Sequence, residues 1–152
     1  MKSEPDVYSI ADLAANPREI WDGVRNYQAR NFLKSMALGD LAFFYHSNTK
    51  PPGIVGLMAI AETLVVDPSQ FEASNKYYDP KSSPENPRWH TVAVSYRETF
   101  SSMITLDQLK AAFTPEELGV VKRGNRLSVI PVAASTAQRL LEMAGVTRGI
   151  GE

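Results

Sequence analysis

Apolar residues recur at helical spacing in one stretch above all: Ala29, Phe32, Leu33 and Met36 stand at i, i+3, i+4 and i+7. This predicts a helix over residues 26–37, with Asn26 as N-cap and Gly39-Asp40 as stop and turn. Ser9-Ile10-Ala11-Asp12 reads as an earlier helix opening, ended near Asn16-Pro17. Leu41 to Tyr45 is apolar on both faces, which suits a strand inside a covered sheet. After the turn Lys50-Pro51-Pro52-Gly53, Ile54 to Val66 is a second apolar strand, with Gly56 as a bulge or close-approach point. Asp67 to Pro87 carries four prolines and shows no periodicity beyond one helical turn at 69–73. His90 to Glu98 alternates, with Val92, Val94 and Tyr96 on one face and Trp89, Thr91, Ala93 and Ser95 on the other. Helix-start boxes follow at Thr105–Gln108 and Thr114–Glu117. Leu127 to Val132 reads as a strand. Ser135-Thr136-Ala137-Gln138 caps a last helix that Gly145 stops. Helices and strands mix without a βα repeat, so the expected class is α+β in one domain, residues 1–146, with 147–152 a frayed tail.

Composition narrows the function classes. The chain holds no cysteine, so disulfides and thiolate metal sites are excluded. Two histidines, His46 and His90, leave little for zinc. No metal and no cofactor are expected. No apolar run reaches the length of a membrane span, and Met1-Lys2-Ser3-Glu4-Pro5 is unlike a signal peptide, so a cytoplasmic protein without a membrane partner is expected. The net charge of −1 argues against coating nucleic acid by charge alone. Charge is nevertheless patchy. Arg25, Arg30, Lys34 and Lys50 face a single acid, Asp40, between Val24 and Lys50, and Lys122, Arg123 and Arg126 stand without an acid between Gly119 and Pro131. Patches of this size suit a few phosphates, for which Arg25, Arg30, Lys34, Lys122 and Arg123 are candidates. Scattered solvated charges are the alternative.

The run from Trp21 to Asn31 places an aromatic plate, forked cations and the free amides of a helix N-terminus close together. Such a set suits a planar, polar or anionic ligand. A core tryptophan beside a capped surface helix fits the run equally well. Tyr45-His46-Ser47-Asn48 ends an apolar strand with polar tips able to meet a base edge. Tyr77 and Tyr78 sit on the long loop, where they either close over a ligand or pin the loop. Arg126 and Ser128 lie one pleat apart on the expected last strand. No Gly-x-Ser-x-Gly, Walker loop or Gly-x-Gly-x-x-Gly is present, so no residue is assigned a catalytic role.

These blocks together resemble the EVE-domain family. The resemblance rests on Lys2-Ser3-Glu4-Pro5, the Trp21–Asn31 run, Gly39-Asp40, Phe44-Tyr45-His46-Ser47-Asn48, Gly53-Ile54-Val55-Gly56, Tyr77-Tyr78-Asp79, Pro87-Arg88-Trp89 and Arg126-Leu127-Ser128-Val129, in the family's order. Family members usually carry apolar residues before Lys-Ser-Glu-Pro. Here Met1 directly precedes Lys2, so a very short or missing first strand is expected. The resemblance implies a PUA-like fold, a small mixed β-barrel decorated by helices and distantly similar to YTH domains. It further implies a monomeric, non-enzymatic module that reads a modified base in DNA or RNA by extruding it into an aromatic cage of Trp21 and Trp89. Lys2, Ser3, Val24, Arg25, Asn26, Tyr27, Tyr45, His46, Ser47, Arg126 and Ser128 complete the implied pocket. An enzyme or small-molecule binder acting on a base-like metabolite in the same pocket is the competing reading.

Overall fold

The computed structural model describes residues 1–146, and the expected tail at 147–152 lies outside them. A five-stranded sheet runs in the order β1-β3-β4-β5-β2. It is built from β1 (Lys2–Ser3), β2 (Arg18–Ile20), β3 (Leu41–His46), β4 (Gly53–Val66) and β5 (His90–Thr105). β1 runs parallel to β3, and the other neighbours are antiparallel. Four helices decorate the sheet: α1 (Ile10–Ala15), α2 (Tyr27–Lys34), α3 (Leu106–Ala112) and α4 (Ala134–Met143). Among the described residues no helix is long and apolar enough to cross a membrane.

The long central hairpin sets the curvature. β4 and β5 change register at several points, and β3 and β4 change once at Phe44/Tyr45. Each irregularity adds local twist and bends the sheet. Gly56 is one of these points. A Cβ there would stand 2.5 Å from the Glu98 carbonyl oxygen, so only glycine lets β5 pass this close. The curl brings both edges, β1 and β2, to the border of a single cleft. Both faces of β4 are buried from Gly53 to Ile60. Val55, Met58 and Ile60 join the cluster under α1 and α2, with Leu13, Leu33, Phe44, Val92 and Val94. Ile54 and Leu57 join a second cluster with Phe100, Ile104, Leu109, Leu140 and Leu141.

Local signals explain the helices. Ser9 and Asp12 form a reciprocal capping box on α1, and Thr105 and Gln108 do the same on α3. The Asn26 side chain accepts the Ala29 N–H at 3.0 Å, and Ala29 and Leu33 carry the buried stripe of α2.

Four expectations fail. The Thr114–Glu117 box forms, with Thr114 N–H on Glu117 Oε1 at 2.9 Å, yet only turns follow before a 3₁₀ turn at Gly119–Val121. Leu118 and Val121 must enter the second core cluster there, which ends the nascent helix after one turn. Leu127–Val132 is not a strand. Its one ladder-like contact is Lys2 N–H to the Ser128 carbonyl at 2.8 Å, because β1 offers two residues and Pro131 has no N–H. α4 starts two residues early, with Ala133 rather than Ser135 at the N-cap and no side-chain cap, while Thr136 turns inward to the Glu117 carbonyl at 3.1 Å. β5 runs on to Thr105, past the expected end at Glu98, because Phe100 and Ile104 continue to bury one face.

Candidate functional site

The cleft between the edge strands has a volume of about 640 Å³, a size suited to one planar ligand. β1 brings Lys2 and Ser3, the turn after it brings Glu4 and Tyr8, and β2 brings Glu19 and Ile20. The link from β2 to α2 contributes Trp21 through Arg25, the end of β3 contributes Ser47, and the long loop contributes Lys76 and Tyr77. Arg126 and Ser128 complete the wall from the chain's later part. Of the expected pocket residues, Lys2, Ser3, Trp21, Val24, Arg25, Ser47, Arg126 and Ser128 are thus brought together, along with the loop candidate Tyr77.

A fixed backbone carries the Trp21–Arg25 segment. Trp21 N–H reaches the Val92 carbonyl at 2.9 Å, Asp22 N–H that of Ile20 at 3.1 Å, and Gly23 N–H the Asp67 carboxylate at 2.8 Å. The Trp21 ring meets Phe44 edge-on, with centroids 5.4 Å apart. Gly23 has φ +82°, and the Tyr77 ring lies where a side chain would begin, 2.5 Å from an ideal Cβ.

Arg25 is a strut rather than a free cation. Its guanidinium donates to the carbonyls of Tyr77 (2.9 Å) and Val24 (2.9 Å), to Asp67 (3.1 Å) and to Ser69 Oγ (3.0 Å). Asp67, 1% exposed, also takes the Ser69 N–H and hydroxyl. This buried pair ties the long loop to the segment below it. Arg30 is committed as well, donating to the Arg88 carbonyl at 3.0 Å and to Asn31 Oδ1.

Trp89 does not line the cleft, so the cage of two tryptophans is not formed. The Trp89 ring stacks on Tyr27 with centroids 4.9 Å apart, Arg25 lies 5.1 Å over it, and its indole N–H donates to Asp79 at 2.7 Å. That indole hydrogen bond is the main reason the Asp79 carboxyl is held below its ordinary range. Tyr8 and Tyr77 are the aromatics that accompany Trp21 in the cleft. Asn26 is spent on capping α2, and Tyr27 faces outward with its hydroxyl against Arg88. His46 also turns away. Its Nε2 accepts the Ile10 N–H at 3.1 Å, which requires a neutral ring, and burial pushes its pKa down. Tyr78 and Lys34 do not line the cleft.

A second groove of about 530 Å³ adjoins the first, sharing Lys2 and Ser47 with it. Tyr45, Asn48, Lys110, Lys122, Arg123 and Asn125 line it, and no acid does. Lys122 and Arg123 therefore fall together as expected. Lys110, in the last turn of α3, was invisible from sequence because nothing there ties it to residues 122–125.

Sequence reasoning also missed Tyr8, Glu19 and Asp22. Asp22 sits within the Trp21–Asn31 run, and Tyr8 directly precedes the Ser9 cap, a place where a side chain packs back on the body. Tyr8 Oη is buried without a hydrogen-bond partner. Burial, then Glu19 and Asp12, raise its pKa. Burial, then Asp67 and Glu19, raise that of Asp22. Burial lowers that of Lys2. Among the described residues no cluster of three metal-ligating side chains occurs.

A family model described as the EVE domain matches residues 1–143. Thymocyte nuclear protein 1 of Mus musculus is 50% identical over 121 residues, covering 72% of this chain and 54% of that protein. That of Danio rerio is 40% identical over 162 aligned positions, covering 94% and 70%. The chain spans about half the length of the mammalian relatives it matches. Among solved structures, a Pseudomonas syringae protein superimposes with a TM-score of 0.90 at 42% identity, covering 95% of this chain and 97% of that one. Human THYN1 in complex with 5-methylcytosine-containing DNA gives a TM-score of 0.86 at 42% identity, covering 95% of each chain. The α+β architecture is that of these domains, consistent with a PUA-like fold. The chain belongs to the EVE-domain family.

Proposed function

We propose that this chain is a non-enzymatic DNA-binding module that holds one extruded, modified base in the cleft between its edge strands. The base lies against Trp21 and Tyr77, and the flanking phosphates follow the groove of Lys2, Lys110, Lys122 and Arg123. The observation that carries the reading is continuity: a base-sized cleft with aromatic walls opens, through Lys2 and Ser47, into a groove lined by cations and no acid. Phosphate contacts position a strand, whereas contacts at the base edge specify it. The methylated DNA held by the human relative supports the same assignment. Only a few cations are available, so the log–log salt dependence should have a slope of about −2 to −4.

The test is a binding titration with DNA and RNA oligonucleotides that differ at one base, 5-methylcytosine or cytosine, over a range of salt. Tighter binding of methylated DNA is expected, and the Lys122→Ala/Arg123→Ala double variant should flatten the slope by about two units while keeping the preference. Equal affinity for methylated and plain strands would remove the reader assignment.

A further inference from the structure

The methyl group of 5-methylcytosine is also the methyl group of thymine, so a pocket that feels only that methyl cannot tell the two apart. They differ at C4, where cytosine offers an amine, a donor, and thymine a carbonyl, an acceptor, and at the neighbouring N3, where cytosine has a bare nitrogen, an acceptor, and thymine an N–H, a donor. A cleft holds the one and refuses the other if it sets, at the C4 substituent and out of reach of N3, a hydrogen-bond acceptor that no other donor satisfies.

Three acids line the cleft: Glu4, Glu19 and Asp22. Glu19 is occupied on both oxygens, by the Ile20 N–H and the Asn16 amide, each at 3.2 Å. Glu4 takes the Asn48 amide at 3.3 Å. The Asp22 carboxyl takes its own backbone amide and accepts no hydrogen bond from another residue's side chain among the described residues, although the Arg25 guanidinium is near enough to favour its ionised form. It stands between Trp21 and Gly23 on the backbone fixed by consecutive amide hydrogen bonds. The side chain is exposed at the cleft, and its attachment point is set before any ligand arrives, which lowers the ordering cost of a hydrogen bond made there. The buried, unpartnered hydroxyl of Tyr8 in the same cleft is an independent sign that this wall is built to meet polar atoms of a ligand.

We infer that Asp22 is the specificity-determining residue of the cleft: its carboxylate accepts a hydrogen bond from the exocyclic amine of the bound base. An amino-bearing base such as 5-methylcytosine is thereby held, and its carbonyl counterpart thymine, which would set two acceptors face to face, is rejected. The raised proton affinity of Asp22, from burial and from Asp67 and Glu19 nearby, makes the ionised group a stronger acceptor. The inference rests on the reading of the cleft as a base site.

The experiment compares three duplexes that differ only at one position opposite guanine: 5-methylcytosine, cytosine or thymine. The thymine mismatch is easier to extrude, so this design works against the expected result. Wild type should bind 5-methylcytosine about ten-fold or more tightly than thymine. In Asp22→Asn the side-chain amide can donate as well as accept, and the ratio should fall towards one. Asp22→Ala should lose it too, with thermal melts confirming that both variants fold. If wild type prefers 5-methylcytosine to cytosine but not to thymine, or if Asp22→Asn keeps the wild-type ratio, the role of Asp22 is overturned and the reader survives. If wild type prefers 5-methylcytosine to neither, both fall together.

Discussion

Replacing Arg25 by alanine should damage the fold before it damages contact with phosphate. Arg25 makes four hydrogen bonds, and its side chain is 20% exposed against 2% for Asp67. Removing one partner of a buried ion pair costs about 3–5 kcal/mol when the other is stranded. Here Asp67 is not stranded, because the Gly23 N–H and the Ser69 N–H and hydroxyl remain. The expected loss is therefore about 2–4 kcal/mol, which for a chain of this size lowers the melting temperature by roughly 5–15 °C. Arg25→Lys should fall between, since an ammonium can reach Asp67 but cannot span Asp67, Ser69 and the Tyr77 carbonyl together. Melts of the three proteins, run beside salt titrations of DNA binding, separate the roles. A strut leaves the salt slope of the folded fraction unchanged. An Arg25→Ala protein that melts like wild type but whose slope is flatter by about one unit would show that Arg25 binds a phosphate and that the strut argument is mistaken.

Gly23→Ala should cost about 1–2 kcal/mol from its left-handed backbone alone and should also push the Tyr77 ring off the cleft wall; unchanged affinity and melting would contradict this. Trp89→Ala should lose about 3–5 kcal/mol of stability, as expected for a buried ring stacked on Tyr27, with little change in the affinity of folded protein. A stable variant with weakened binding would put that ring back in the site. Stability should fall as pH drops below 6.5, because the unfolded chain takes a proton that the half-buried His46, its pKa lowered, does not. His90 is shifted in the same direction, by burial, Lys34 and Arg30, so the His46 share is the difference between wild type and His46→Gln, whose amide oxygen can still accept the Ile10 N–H. Identical acid profiles for the two proteins would exclude it.

What could be read from the chain divides along physical lines. The α2 stripe, the capped starts of α1 and α3, and the close approach at Gly56 follow from periodicity, side-chain oxygens and the missing Cβ, all of them local. Leu127–Val132 has the composition of a strand, but a strand needs a partner, and the two residues of β1 were not long enough to provide one. Trp89 was legible as important and illegible in role, since its indole is claimed by Asp79, ten residues away on a loop without periodicity. Arg25 failed in the same way: a cation in sequence becomes a strut only when Asp67 folds against it. Asp22 passed unnoticed beside a tryptophan and an arginine, because what distinguishes it is the want of a partner, which only the folded neighbours reveal.

The unjoined seam between β1 and β2 has a mechanical consequence. In a fully closed barrel, widening a pocket between strands means breaking the ladder that joins them. Here, among the described residues, no ladder joins β1 to β2, so the sheet can flex at its bulges and change the gap at little cost. Such a compliant aperture discriminates poorly by size and admits bases of different bulk. Selectivity has to reside in atoms held in place within the rim, and the backbone of Trp21–Gly23 is pinned there by a hydrogen bond at each amide.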